Sequence, residues 1–230
     1  SVYITQDIGV AVQRYDEYKP YKMIYVVGNE QIYHFDVLKR IIKKLGFEWY
    51  DKIYHLSYGM VELPEGKMKT REGKVVDADD LMDQMFETAK NITTELGKID
   101  DLNDEDARNL YEMIGLGALK YFILKVDPKK NMLFNPDESI DFNGNTGPFI
   151  QYTYARINSL LKKAVEASNN FYTYDINFNI LSVEKNLIKL LKEYKIIIKQ
   201  AAEELNPAIV ANYVYELSKL FNQFYQEIPI

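Results

Sequence analysis

Apolar residues recur in two different patterns along this chain, and the change of pattern divides it. Tyr21 to Val27 (Y-K-M-I-Y-V-V) is a β-branched and aromatic apolar run ending at Gly28, as in a buried strand. From Glu30 to Leu45, Ile32, Phe35, Leu38, Ile42 and Leu45 recur at three- and four-residue steps. This spacing predicts an amphipathic helix closed by Gly46. Tyr50 to Leu56 supplies the next strand. The opening residues, Ser1-Val-Tyr-Ile-Thr5, read as strand or strand-adjacent turn. Strand, glycine turn, helix and strand make the first part of a βαβ unit. Ligands of open α/β sheets sit at the carboxyl ends of the strands. That places Gly28-Asn-Glu-Gln31 on one rim with the stretch from Ser57 to Val76.

From Asp77 the period is helical. Asp77 can cap a helix carrying Leu81, Met85, Ala89, Ile92 and Leu96, stopped by Gly97. Asn103, with Asp106 at the reciprocal position, can cap a second, with Leu110, Ile114 and Phe122 on its apolar face. Lys125-Val-Asp-Pro128 breaks it. The Asn-, Gly- and Pro-rich segment Asn135 to Pro148 reads as a linker. Phe149 to Ala167 reads as a helix and Phe171 to Ile180 as an aromatic, asparagine-rich connection. Ser182 opens a helix with Leu187, Leu191, Ile198 and Ala202 inside. Asn206-Pro207 starts a last helix carrying Ile209, Tyr213, Leu217, Leu220 and Phe224. The layout is an incomplete α/β unit, a helical connector and a helical bundle.

Composition narrows the function classes. The 230 residues are 27% charged and 47% hydrophobic, with a net charge of −6, which suits a soluble protein and argues against nucleic-acid binding by bulk charge. Any RNA partner would need local basic patches. No apolar run reaches transmembrane length, and no secretory signal is visible at the start. The absence of cysteine removes disulfides, thiolate zinc sites and cysteine nucleophiles, and is compatible with the cytoplasm. His34 and His55, the only histidines, do not suggest a metal site.

The densest chemistry lies in Ser57–Val76, where Lys67, Lys69, Arg71 and Lys74 cluster around Gly66 and Gly73. Cations on glycine-flanked backbone can close on a polyphosphate, while a solvated basic surface loop has the same composition. A P-loop does not fit: Met68 follows Gly66-Lys67, and no glycine stands five positions before Gly66.

Lys67-Met-Lys-Thr-Arg71 is a variant of the K-M-S-K-S signature of class I aminoacyl-tRNA synthetases, differing at three of five positions. Other stretches occur with it in order. They are Tyr3-Ile-Thr-Gln-Asp7, Val26-Val-Gly-Asn-Glu-Gln-Ile-Tyr-His-Phe35 and Gly59-Met-Val61. Asn145-Thr-Gly-Pro-Phe-Ile-Gln-Tyr-Thr-Tyr-Ala-Arg156 follows, then Asn206-Pro207 with Ala211 to Tyr225. Together they closely resemble the arginyl-tRNA synthetase family over essentially the whole chain.

The resemblance implies the second half of a Rossmann-type nucleotide-binding domain, then a helical connector, then an α-helical anticodon-binding bundle. Its divisions are residues 1–100, with a phosphate loop at 64–76, then 101–146 and 147–230. It implies an arginine–tRNA ligase that uses ATP and Mg²⁺ as substrate complex, with arginine and tRNA(Arg) as partners. The enzyme is expected to be cytoplasmic and monomeric, with no membrane partner and no protein-bound metal. Lys67, Lys69 and Arg71 become the candidate catalytic cations at the ATP phosphates. Either Lys69 or Arg71 stands in for the usual second lysine, because Thr70 occupies its position. Tyr3, Asp7 and Gln31 become arginine-pocket residues, the carboxylate reading the planar guanidinium. Gly28, Glu30, His34, Met60, Val61, Lys67 and Met68 become ATP-binding candidates.

In the helical part, Gln151, Tyr152, Arg156, Lys192, Lys195, Lys199 and Tyr213 are candidate tRNA contacts. A solvated face is the default reading of such lysines, and helix packing that of the aromatics. The first class I signature, of H-I-G-H type, does not occur in the sequence. Both ends look cut, so a segment of a longer enzyme, inactive alone, is expected. A cysteinyl-type relative would call for a Cys/His metal set that is absent here. A non-catalytic RNA-binding or regulatory module derived from a synthetase is the alternative. An H-x-G-H pattern in frame upstream separates enzyme from module.

Overall fold

The chain opens on a helix where a strand or turn was expected. In the computed structural model α1 spans Val2–Tyr18, followed by β1 (Met23–Gly28), α2 (Ile32–Lys44) and β2 (Ile53–Tyr58). Val2, Ile4 and Thr5 favour a strand locally. The helical period emerges only over a longer stretch, as Ile4, Ile8, Ala11, Val12 and Tyr15 line up on the core. The structure describes residues 2–62, 77–95, 102–141, 143–167 and 180–228. The chain divides into two units, residues 1–61 with 128–132, and residues 62–127 with 133–230.

In the first unit β1 and β2 pair in parallel, from Met23 opposite Ile53 to Gly28 opposite Tyr58, with α2 as the crossover between them. One sheet face, carrying Met23, Tyr25, Val27 and Ile53, is covered by α1 and by Phe35, Leu38 and Ile42 of α2. Trp49, in a 3-10 turn at Glu48–Lys52, closes this core and stacks on Tyr15 with ring centroids 4.7 Å apart. Leu38 and Ile42 are fully buried, each contributing about 1.5–3 kcal/mol. On the opposite face Ile24 and Val26 are exposed.

The second unit is helical: α3 (Ala78–Glu95), α4 (Asp104–Leu124), the short α5 (Pro136–Ser139), α6 (Gly147–Ala167), α7 (Ser182–Glu204) and α8 (Ala208–Glu227). The expected starts are present. Asp77 Oδ1 accepts the Asp79 N–H at 3.2 Å, Asn103 Oδ1 accepts the Asp106 N–H at 2.8 Å, and Asn206 Oδ1 accepts the Ala208 N–H at 3.0 Å. Two-residue strands β3 (Val61–Glu62) and β4 (Met132–Leu133) lie where the division between units falls.

Space between helices is set by glycines of α4. A Cβ on Gly115 would stand 2.7 Å from the Met85 carbonyl oxygen of α3, and one on Gly117 would stand 2.3 Å from Gln151 Nε2 of α6. The α3 backbone therefore approaches α4 at Gly115, and the Gln151 side chain of α6 lies against α4 at Gly117.

Two expectations change here. Asn135 to Pro148, expected as a linker, belongs to the packed second unit, with Ser139, Ile140, Thr146 and Pro148 buried. Its Asn, Gly and Pro content serves tight turns rather than exposure. Asn143 donates its N–H to Asp141 Oδ1 at 2.8 Å, and the Thr146 hydroxyl donates to the Asp141 carbonyl. On α7, Leu191, Ile198 and Ala202 are exposed, and the buried residues are Val183 and Ala201. That helix carries apolar residues on two adjacent stripes, and the inner one is a step round from the stripe expected. The connection expected at 171–180 falls, except for Ile180, outside the described residues.

Candidate functional site

In the first unit, the N-terminal half of α1 and the start of α2 present the candidates for an arginine pocket. Tyr3 and Asp7 lie four residues apart on α1, so the helical turn puts both on one side. Gln31 immediately precedes α2, and His34 is in its first turn. Two of these candidates meet directly: His34 Nε2 lies 2.6 Å from Asp7 Oδ2. His34, expected against ATP, is thus held to the carboxylate expected to read arginine. Tyr3 and Gln31 are exposed.

The rim at the strand ends is held by a residue that no sequence pattern marked. Asn131 Oδ1 accepts the Met60 N–H at 2.8 Å and an Asn29 side-chain N–H at 3.2 Å. The Met60 carbonyl accepts the Met132 N–H at 3.0 Å, and the Gly59 N–H donates to the Pro128 carbonyl at 2.7 Å. Glycine is required at Gly59, where a Cβ would stand 2.1 Å from the Lys130 carbonyl oxygen. Both backbone groups of Met60 thus face the 128–132 segment. Strand alternation turns the N–H and C=O of Val61 to the opposite edge.

Gly28 closes β1 in an ordinary extended conformation. Its φ of −55° and ψ of 153° suit any residue, and a Cβ would meet the Tyr58 ring at an ordinary 3.8 Å. Glu30 is exposed in the 3-10 turn between β1 and α2. Lys67, Met68, Lys69 and Arg71 lie outside the described residues.

In the second unit the candidate tRNA contacts fall into two groups. Arg156 of α6 lies over the Tyr152 ring at 4.8 Å and the Tyr225 ring at 4.9 Å, and donates through Nη1 to Asn222 Oδ1 of α8. Asn222 in turn donates to the Thr153 hydroxyl at 2.8 Å. Gln151 donates to the Met113 carbonyl at 2.9 Å. Tyr213 is buried between α7 and α8, with its hydroxyl donated to the Leu190 carbonyl at 3.0 Å, and burial pushes its pKa up. Its ring packs two helices together, which is the helix-packing alternative for this aromatic. Lys192, Lys195 and Lys199 are exposed on α7, Lys199 lying 3.7 Å from Glu203.

A third cluster joins α4, the turn before α6 and α8. The Tyr121 hydroxyl donates to Asn145 Oδ1 at 2.6 Å, with the Ala211 carbonyl a second acceptor at 3.2 Å. Lys125 Nζ donates to the Asn145 carbonyl at 2.8 Å. Burial, followed by the nearby Tyr215 and Glu216, raises the Tyr121 pKa well above the usual tyrosine range. Burial lowers that of Lys125, with Glu138 opposing. These partners were invisible in sequence, being 20 to 90 residues apart. Among the described residues no helix is long and apolar enough to cross a membrane, and no cluster of three or more acidic or histidine side chains could hold a metal.

Comparison with known proteins finds two family matches that together cover most of the chain. The family described as tRNA synthetases class I (R), catalytic domain, matches residues 1–135, and the DALR anticodon binding domain family matches residues 150–230. The arginine–tRNA ligases of Phocaeicola vulgatus and Parabacteroides distasonis are 60% and 59% identical over the whole chain, which spans 38% and 39% of their lengths. The arginyl-tRNA synthetase structure of Thermus thermophilus superposes with a TM-score of 0.75 at 27% identity, covering 90% of this chain and 33% of that one. That of Plasmodium falciparum gives 0.65 at 26% identity, covering 89% of this chain and 34% of its own.

Proposed function

Because the chain belongs to the class I arginyl-tRNA synthetase family, we propose that it forms part of an arginine–tRNA ligase acting in the cytoplasm as a monomer. The reaction has two steps. An arginine carboxylate oxygen attacks the α-phosphate of ATP, forming arginyl-adenylate and releasing pyrophosphate. A ribose hydroxyl at the tRNA end then attacks the arginyl carbonyl and releases AMP. Mg²⁺ enters with ATP and neutralises phosphate charge.

The observation that carries this reading is the Asp7 carboxylate, held by His34 on the same unit as the β1 end. A carboxylate accepts the parallel N–H groups of a guanidinium, and Tyr3 and Gln31 complete the recognition. Gly28 and Glu30 stand at the strand end where the adenosine ribose would lie. The outward-facing N–H and C=O of Val61, with Met60 fixed behind them, offer one donor and one acceptor to an adenine edge. Lys67, Met68, Lys69 and Arg71 belong to the loop assigned to the phosphates. Cations there stabilise charge as it develops at the α-phosphate.

Residues 1–100 supply the catalytic half, 101–146 the connector and 147–230 the anticodon-binding bundle. The exposed α7 lysines Lys192, Lys195 and Lys199 contact tRNA phosphates. Gln151, Tyr152 and Arg156 act by holding α4, α6 and α8 in the arrangement tRNA meets. Arginine-dependent ATP–pyrophosphate exchange in a full-length ligase carrying this sequence tests the assignment. Asp7→Asn is expected to abolish most exchange, and a fully active variant would remove the basis of the reading. The 230-residue chain by itself, with no H-x-G-H signature, is expected to form no arginine- and tRNA-dependent AMP.

A further inference from the structure

We propose that His34 is a positioning residue for arginine selection: its imidazole donates Nε2–H to Asp7 and fixes the carboxylate in the orientation that receives the guanidinium. The inference rests on the assignment of Asp7 to arginine and adds to it the group that orients Asp7.

The geometry is specific. Asp7 is on α1 and His34 on α2, 27 residues apart, with Nε2 and Oδ2 at 2.6 Å. The His34 side chain is 25% exposed and that of Asp7 is 38% exposed, so both sit at the margin of the core. The His34 ring meets Phe35 edge-on at 5.5 Å, and Phe35 is buried and stacked on His55 at 4.4 Å. His55 is itself bonded through Nε2 to the Val27 carbonyl at 2.9 Å. The imidazole is thus braced by a chain of rings that ends on β1.

A carboxylate on a helix surface rotates broadly about its last torsion. One short hydrogen bond to a braced imidazole removes that freedom. The bond engages Oδ2; among the described residues none donates a hydrogen bond to Oδ1. Oδ1 and the second lone pair of Oδ2 can accept from the guanidinium fork, whose donors are fixed in a plane. A fixed acceptor plane discriminates a guanidinium from the neutral urea of citrulline more sharply than a rotating one, because a misaligned ligand leaves polar groups unpaired.

The test uses a full-length arginine–tRNA ligase carrying this sequence and measures ATP–pyrophosphate exchange at varied arginine and ATP. His34→Ala is expected to raise the KM for arginine about 10-fold, with kcat and the KM for ATP changed less than twofold. It should also narrow the preference for arginine over citrulline. His34→Gln, whose amide N–H reaches a similar point, should restore most of the arginine KM. Equal losses in kcat and both KM values, without rescue by glutamine, would show a merely structural residue and overturn the inference. So would an unchanged arginine KM in His34→Ala. Asp7→Asn separates the two levels. If it leaves the arginine KM unchanged, the underlying assignment fails; if it raises that KM while His34→Ala does not, the inference about His34 alone fails. Melting temperatures of each variant exclude misfolding as the cause of a KM effect.

Discussion

Two glycine-to-alanine changes in helices should move stability in opposite directions. Helix propensity alone assigns both a gain of about 1 kcal/mol. Gly9, in α1, has no neighbouring heavy atom within 4 Å of a built Cβ, so Gly9→Ala keeps most of that gain. Gly115, in α4, faces the Met85 carbonyl oxygen at 2.7 Å and its carbon at 2.9 Å. Ordinary contact begins at 3.4 Å, so α3 and α4 must separate by 3.4 − 2.7 = 0.7 Å. A radial gap of that size forfeits a quarter to a half of each dispersion contact across the interface, and overpacking costs about 1–3 kcal/mol. Met85, which bears the strain, is fully buried. The net expectation for Gly115→Ala is a loss of roughly 1–2 kcal/mol, or a melting temperature lower by about 2–8 °C. Gly9→Ala should instead raise the transition in which α1 melts by about 2–4 °C. Thermal unfolding of the 230-residue chain, followed by circular dichroism, reads both. A Gly115→Ala variant as stable as the parent would refute the close α3–α4 approach.

The remaining predictions concern the networks described above. Arg156→Ala removes two cation–π contacts of about 0.5–1 kcal/mol each and a charge-assisted hydrogen bond to Asn222. Discounted for partial exposure, the expected loss is about 2 kcal/mol in urea unfolding, with Arg156→Lys recovering less than half. Tyr121 holds its proton beyond pH 10 in the folded state, so its contribution is fully present below pH 10 and is lost as pH rises past it. Lys125 acts in the opposite sense just below its ordinary pKa, because its lowered pKa makes stability rise with pH there. The urea midpoint of Tyr121→Phe should therefore lie below the parent at pH 8, and the gap should narrow progressively as pH rises beyond 10. Asn131→Ala, in a full-length ligase carrying this sequence, should raise the KM for ATP about 3–10-fold and leave that for arginine unchanged, because Met60 and Asn29 lose their shared acceptor. Asn131→Asp, which keeps an acceptor, should show less than half the effect.

Much of this architecture was legible in the residues themselves. The run Tyr21–Val27, the spacing of Phe35, Leu38 and Ile42, and the caps at Asp77, Asn103 and Asn206 each express a local rule, and each appears where that rule puts it. The misses have physical causes. α1 was hidden because β-branched residues open it and its apolar period needs a dozen residues to show. The turn-rich Asn135–Pro148 advertised loop chemistry, but the burial of Ile140 and Pro148 depends on tertiary packing within the second unit, which local composition does not express. The inner stripe of α7 could not be told from its neighbour by period, since only contact with α8 selects it. The site divides in the same way. Tyr3 and Asp7 came from the resemblance to the synthetase family, and the helical turn of α1 puts them on one side. The partners that orient the candidates, His34 for Asp7 and Asn131 for Met60, are 27 and 71 residues away and follow no spacing rule.

If Asp7 selects arginine for activation, the kcat/KM for arginine in ATP–pyrophosphate exchange by Asp7→Asn, in a full-length ligase carrying this sequence, reads that selection directly. Removing one partner of a charge-paired hydrogen bond costs about 2–5 kcal/mol, so a fall of about 100-fold or more is expected, with the KM for ATP kept within twofold and the preference for arginine over citrulline largely lost. An Asp7→Asn enzyme with the parent's kcat/KM and the parent's preference for arginine would show that Asp7 does not select the substrate.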